Sequence, residues 1–168
     1  THRLLMASER ELRRLLPGEP DLVDQLLLTR RLLDESLTPA SENRLLAPNS
    51  ETFKRYLKFA LGSLRDEHLR IFFTDDAMRL LGEDNYTSRS PSHVSITLRA
   101  MMARAMELGA TGMVLAHNHP SGLIRPSIDD IKLTRSIMET GKALGVRLID
   151  HFVIANMAVR SILPECAK

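Results

Sequence analysis

The chain has 168 residues, 43% of them hydrophobic, with 23 basic and 21 acidic side chains and a formal charge of +2. That length suits one domain with at most a small appendage, and the near balance of charge supplies no general attraction to a polyanion. The single cysteine, Cys166, excludes an intrachain disulfide and a cysteine-based zinc cluster, and no run approaches the roughly 18 to 20 apolar residues of a membrane span.

No apolar N-terminal run flanked by basic residues reads as a signal peptide, so a cytoplasmic protein without membrane attachment is expected. Residues 1–37 read as two helices joined by a tight turn. Ser8 and Glu11 make a capping-box pair, Leu12, Leu15 and Leu16 follow at helical spacing, and Pro17-Gly18 ends the run. Leu22, Leu26, Leu27, Leu32 and Leu33 mark a second helix from about Asp21 to Glu35. Residues 38–49, rich in proline, serine and asparagine, read as a linker, and 50–168 as the main domain. Ser50 caps a helix expected over 51–64, whose inward face carries Phe53, Tyr56, Leu57, Ala60, Leu61 and Leu64.

Two strands follow. His68 to Thr74 is a β run, Asp75-Asp76-Ala77 its turn, and Met78 to about Tyr86 the partner. A loop holding an exposed His93 leads to a helix over 97–108, with Met101, Met102, Ala105, Met106 and Leu108 inward and Gly109 as its stop. The methionines read as core filler. Met113 to Ala116 is a buried strand, and a helix over 127–144 turns Ile131, Leu133, Ile137 and Met138 inward before Gly145 ends it. Val146 to Ala155 and Val159 to Leu163 are the last strands, the second stopped by Pro164.

The chemistry concentrates between Gly112 and Asp130. The strand delivers His117 and His119, two positions apart and therefore on one face. Pro120, Ser121 and Gly122 turn the chain, and a helix begins at Ser127 with Asp130 in its first turn. Ser127 and Asp130 are also a capping-box variant that needs no metal. Two imidazoles and one carboxylate nevertheless make three protein ligands with a position left for water, as in a catalytic rather than a structural zinc site.

His-x-His-Pro followed by six residues, Ser, two residues and Asp resembles the metal signature of the JAMM (MPN+) metallopeptidases. The form HNHPSG, then Pro126-Ser127 and Asp130, with Asp150-His151 further on, resembles the RadC branch of that family. The resemblance implies a mixed-sheet α/β sandwich of the JAMM/MPN, cytidine-deaminase-like type, preceded here by a helical hairpin. It implies Zn²⁺ on His117, His119 and Asp130, with other divalent metals admitted by the oxygen-nitrogen donor set. A glutamate just ahead of the strand beside the metal strand holds the metal-bound water in such proteins; Glu67 has that place, with Glu83 and Asp84 as competitors. Ser127 would donate to the oxyanion of the tetrahedral intermediate. Of the Asp150-His151 pair only one side chain can face the metal, and Asp150 is expected to do so, orienting a liganding imidazole, with His151 packed on the other side.

The hairpin at residues 1–37 resembles the second half of the helix-hairpin-helix module of RadC-type proteins, but it departs from a Gly-x-Gly phosphate turn. Pro17-Gly18-Glu19-Pro20 lacks two donors and adds a negative charge, and the stretch from Arg3 to Glu35 holds six arginines against seven acidic residues. Packing or self-association into a homo-oligomer is the better reading of this piece than DNA binding. Thr87-Ser88-Arg89-Ser90 and Leu98-Arg99-Ala100 also replace the family's Arg-Gly-Thr and Pro-Arg-Glu, which alters the rim of the site.

A zinc metallopeptidase acting on a peptide or isopeptide bond is the first expectation. A DNA repair or recombination accessory whose metal domain serves binding, and a metal-stabilised scaffold without activity, are the alternatives. A nucleobase deaminase is disfavoured because its Pro-Cys-x-x-Cys motif is absent.

Overall fold

The computed structural model describes residues 9–27, 45–87 and 96–166. Contacts divide the chain into two units, Thr1–Thr38 and Pro39–Lys168. In the first, helix α1 (Glu9–Leu15) and a helical stretch over 20–27 flank the Pro17-Gly18 turn. Leu12 and Val23 are buried together, with Leu16, Leu26 and Leu27 packed on them, so Val23 rather than the exposed Leu22 supplies the inward contact. The expected continuation of this helix to Glu35, the linker as far as residue 44 and the loop with His93 lie outside the described residues.

The second unit is built on a five-stranded mixed sheet of order β2-β1-β3-β4-β5. Its strands are β1 (His68–Thr74), β2 (Leu80–Thr87), β3 (Gly112–Asn118), β4 (Arg147–Ala155) and β5 (Ala158–Ser161). Only β3 and β4 run parallel; the other neighbours are antiparallel. Alternation along β1 sends Leu69, Ile71 and Phe73 to one face and Phe72 to the other, and all four are buried because helices cover both faces.

Helix α2 (Glu51–Leu61) lies on the Phe72 face. Ser50 Oγ accepts from the Phe53 amide at 3.1 Å to cap it. Phe53 meets Phe72 edge-on at 5.3 Å and lies 6.2 Å from Phe152, so three rings interlock there. Helices α3 (Leu98–Glu107) and α4 (Ile128–Leu144) cover the other face, where Met101, Met102, Ala105 and Ile137 pack on Ile71, Phe73, Met113 and Leu115. Each of these buried side chains larger than alanine contributes about 1.5 to 3 kcal/mol. The expected α/β architecture is therefore the observed one. Met106 and Met138 are exposed, lying one step round their helices from the buried stripe.

Element ends differ in local ways. Helix α2 stops at Gly62 rather than Leu64, and β2 begins at Leu80 because Met78 adopts a φ of 63° in the turn before it. After β5 a short helix α5 (Leu163–Cys166) forms instead of a strand end. Pro164 sits in its first turn, where a missing N–H costs nothing. Helix α4 ends as expected, with Gly145 at a φ of 73°. Because β3 leads through α4 to the parallel β4, the carboxyl end of one strand and the amino end of one helix come together. That meeting point is a usual place for a site in α/β sheets.

Candidate metal centre

Strand β3 is buried throughout, and its Met113–Leu115 row continues to His117 on the face covered by α3 and α4. After Asn118 the chain turns tightly. The Gly122 amide donates to the His119 carbonyl at 3.0 Å, and Gly122 holds a φ of 81° that a β-carbon would strain. The turn returns the Leu123 carbonyl to the His119 ring, which donates to it from Nδ1 at 2.7 Å. Helix α4 then starts at Ser127 with a complete capping box. The amide and hydroxyl of Ser127 both donate to Asp130 Oδ2 at 2.7 Å, and the Asp130 amide donates back to Ser127 Oγ at 3.1 Å. Capping and metal ligation are thus compatible uses of the same two residues.

The three expected ligands converge. His117 Nε2 is 3.0 Å from His119 Nε2 and 3.3 Å from Asp130 Oδ1, and His119 Nε2 is 3.3 Å from Asp130 Oδ2. One ligand atom from each residue lies within 4.8 Å of the others. Around a tetrahedral zinc with bonds near 2.0 to 2.1 Å, ligand atoms stand about 3.3 Å apart, so the spacing suits one ion.

Hydrogen bonding also decides which atoms carry lone pairs. The Thr134 hydroxyl donates to the Asp130 carbonyl at 2.6 Å, so its oxygen accepts from His151 Nδ1 at 2.8 Å. Burial, then the neighbouring His117, pushes His151 far below the usual imidazole range and keeps it neutral. Its Nε2 therefore accepts from His117 Nδ1 at 2.9 Å, which leaves the His117 Nε2 lone pair facing Asp130. His119 likewise spends its Nδ1 proton on Leu123. Two imidazole lone pairs and a carboxylate then face one point, an arrangement that a proton or a cation must bridge. A hydrogen bond with Asp130 raises His119 against the effect of burial. Burial acts to raise Asp130 as well, but its contacts with His117 and His119 hold it well below the ordinary carboxylate range. The donor set fits a divalent cation.

Glu67 stands just ahead of β1, beside a cleft of about 260 Å³ that it lines with Leu69, Ile96, His117, Asp130 and His151. Glu83 and Asp84 line no part of it. Glu83 takes an ion pair from Arg70 at 2.9 Å, and Asp84 accepts from the Tyr86 hydroxyl at 2.9 Å.

Asp150 does not orient an imidazole: Ser161 Oγ donates to it at 2.6 Å and the His151 amide at 2.7 Å, and His151 takes the place beside His117. The reason is a bulge. Met113 pairs with Leu148, but Val114 pairs with Asp150, so Ile149 is an extra residue in β4. Without it Asp150 would pair with Leu115 and share the His117 face; the insertion hands that face to His151.

The RadC-like JAB domain profile matches residues 47–165. This chain belongs to the RadC-like JAB domain family. It is similar to UPF0758 proteins of Cupriavidus taiwanensis, 32% identical over 84% of this chain and 60% of the relative, and of Polaromonas, 33% identical over 81% and 59%. A relative from Albidiferax ferrireducens is 32% identical over 95% of this chain and 70% of its own. The chain spans about 60% of the length of the first two relatives.

Within this JAB domain, sequence reasoning missed the supporting role of His151 and Thr134. Thr134 had a signal: it lies four residues after Asp130, on the same side of α4. His151 had none, because a bulge leaves no mark in a run such as RLIDHFVIA. Among the described residues, no helix is long and apolar enough to cross a membrane.

Proposed function

We propose that this JAB domain is a zinc-dependent metallopeptidase that hydrolyses a peptide or isopeptide bond in a peptide or protein substrate. One observation carries the reading: His117, His119 and Asp130 converge at the edge of an open cleft that His117 and Asp130 line together with Glu67. Zinc bound to these three residues supplies Lewis-acid activation of a water at neutral pH. Glu67 accepts the proton from that water and passes it to the leaving nitrogen. Ser127, exposed at the rim, is the hydroxyl within this site that can turn from Asp130 and donate to the carbonyl oxygen of the scissile bond. Leu69, Ile96 and Leu133 give the cleft an apolar wall against which a substrate side chain can lie.

A DNA role is not part of this proposal. In the N-terminal turn Pro17 and Pro20 have no amide hydrogen, and the Glu19 amide already donates to Leu16, which leaves little backbone for a phosphate. The test is metal analysis of the purified protein followed by a peptide-library cleavage screen with and without Glu67→Gln. Bound zinc, with cleavage reduced on the order of 100-fold or more by the substitution, is the expected result. Cleavage indifferent to Glu67→Gln would remove Glu67 from the mechanism.

A further inference from the structure

The residue between the two metal-site histidines is more than a spacer. The β1–β3 ladder ends at the pair Leu69 and His117, one step short of His68 and Asn118. At that step the Asn118 side chain, 2% exposed, takes over from the backbone. Its Oδ1 accepts from the His68 amide at 2.8 Å, and its Nδ2 donates to the Asp66 carbonyl at 3.0 Å and the Leu64 carbonyl at 3.3 Å. The amide thus grips the backbone on both sides of Glu67, which lies beyond the last ladder pair.

Alternation along β3 explains the division of labour. His117 lines the cleft, and Asn118, the next residue, points the other way, toward the segment entering β1. One three-residue stretch therefore sets both the metal ligands and the backbone that carries the carboxylate opposite them. We propose that Asn118 is a positioning residue for Glu67, fixing the 64–68 segment so that the carboxylate stands over the cleft. The proposal rests on the role given to Glu67 above. Asparagine is the side chain that suits the task, since one group must accept from an N–H and donate twice to carbonyls. Aspartate keeps the acceptor but turns a second oxygen on those carbonyls.

The experiment combines amide exchange with the visible spectrum of the Co²⁺-loaded protein. In the unaltered chain the His68 amide should exchange about fivefold or more slowly than an unprotected amide, and Asn118→Ala should abolish that protection. Glu67→Gln should displace the Co²⁺ absorption bands. Asn118→Ala should displace them in the same direction, and the double variant should show no added displacement. Asn118→Asp, which keeps size and the His68 contact, should retain the protection and displace the bands less; it also serves if the alanine variant does not fold. A His68 amide that exchanges freely in the unaltered chain overturns the proposal. So does an Asn118→Ala displacement equally large with glutamine at position 67, while the bands still respond to Glu67→Gln. Bands indifferent to Glu67→Gln sink the role of Glu67 first, and the proposal with it.

Discussion

Two aspartates, Asp130 in the first turn of α4 and the buried Asp150 in β4, are treated in opposite ways. Burial works to raise both. Asp130 faces His117 and His119 and is held ionised, whereas Asp150, bonded to Ser161 and the His151 amide, is pushed up by burial that these contacts only partly offset. Carboxylate identity says little here; what each one faces decides its charge, and only one is equipped to hold a cation.

The contrast can be broken from the strong side first. Asp130→Ala removes a ligand and should weaken Zn²⁺ binding by at least about 100-fold in calorimetric titration, whereas Asp150→Asn should leave the affinity within about twofold, given that supporting contacts to a metal ligand carry roughly 10- to 100-fold. His151→Ala removes the acceptor that fixes His117 and should cost about 10- to 100-fold in the same measurement. A larger loss from Asp150→Asn than from His151→Ala would reverse the assignment of faces.

A third test acts on the bulge. A β-carbon at Gly112 would stand 2.6 Å from Ile149 Cδ1 and 2.5 Å from Thr74 Oγ1. Gly112→Ala should therefore cost about 1 to 3 kcal/mol in urea unfolding. Because relief requires moving Ile149, the extra residue of β4, metal affinity should fall with it.

The smallest effect is on pH dependence without metal. A carboxyl raised in the folded state adds stability below its unfolded pKa, and that contribution is lost as pH rises through the folded value. Asp150 is such a group, so the stability difference between Asp150→Asn and the unaltered protein should be more favourable to the variant at pH 7 than at pH 3. A difference that moves the other way would mean that Asp150 is held ionised, like Asp130.

Much of this was legible in the chain. Strict alternation placed His117 and His119 together, the Ser127–Asp130 spacing placed the carboxylate at a helix start, and apolar runs with their turn signals located all five strands, the last with a shifted end, and the three long helices described in the main unit. What could not be read depended on register. Choosing between Asp150 and His151 meant counting residues across the β3–β4 pair, and one inserted residue inverts the count. The α5 helix was hidden because Pro164 signals a stop yet is tolerated in a first turn. Asn118 was passed over because its partners, Leu64, Asp66 and His68, lie some fifty positions upstream.

The hydrogen-bonded circuit that leaves His117, passes through His151 and Thr134 and returns to the backbone of Asp130 has one further consequence. It tethers the strand that carries the imidazoles to the helix that carries the carboxylate by bonds between protein groups, within a frame set by the apolar core. In a zinc finger the ion supplies the folding energy. In this domain the apolar core and that circuit supply the frame, so a chelator should remove a bound ion without unfolding the chain.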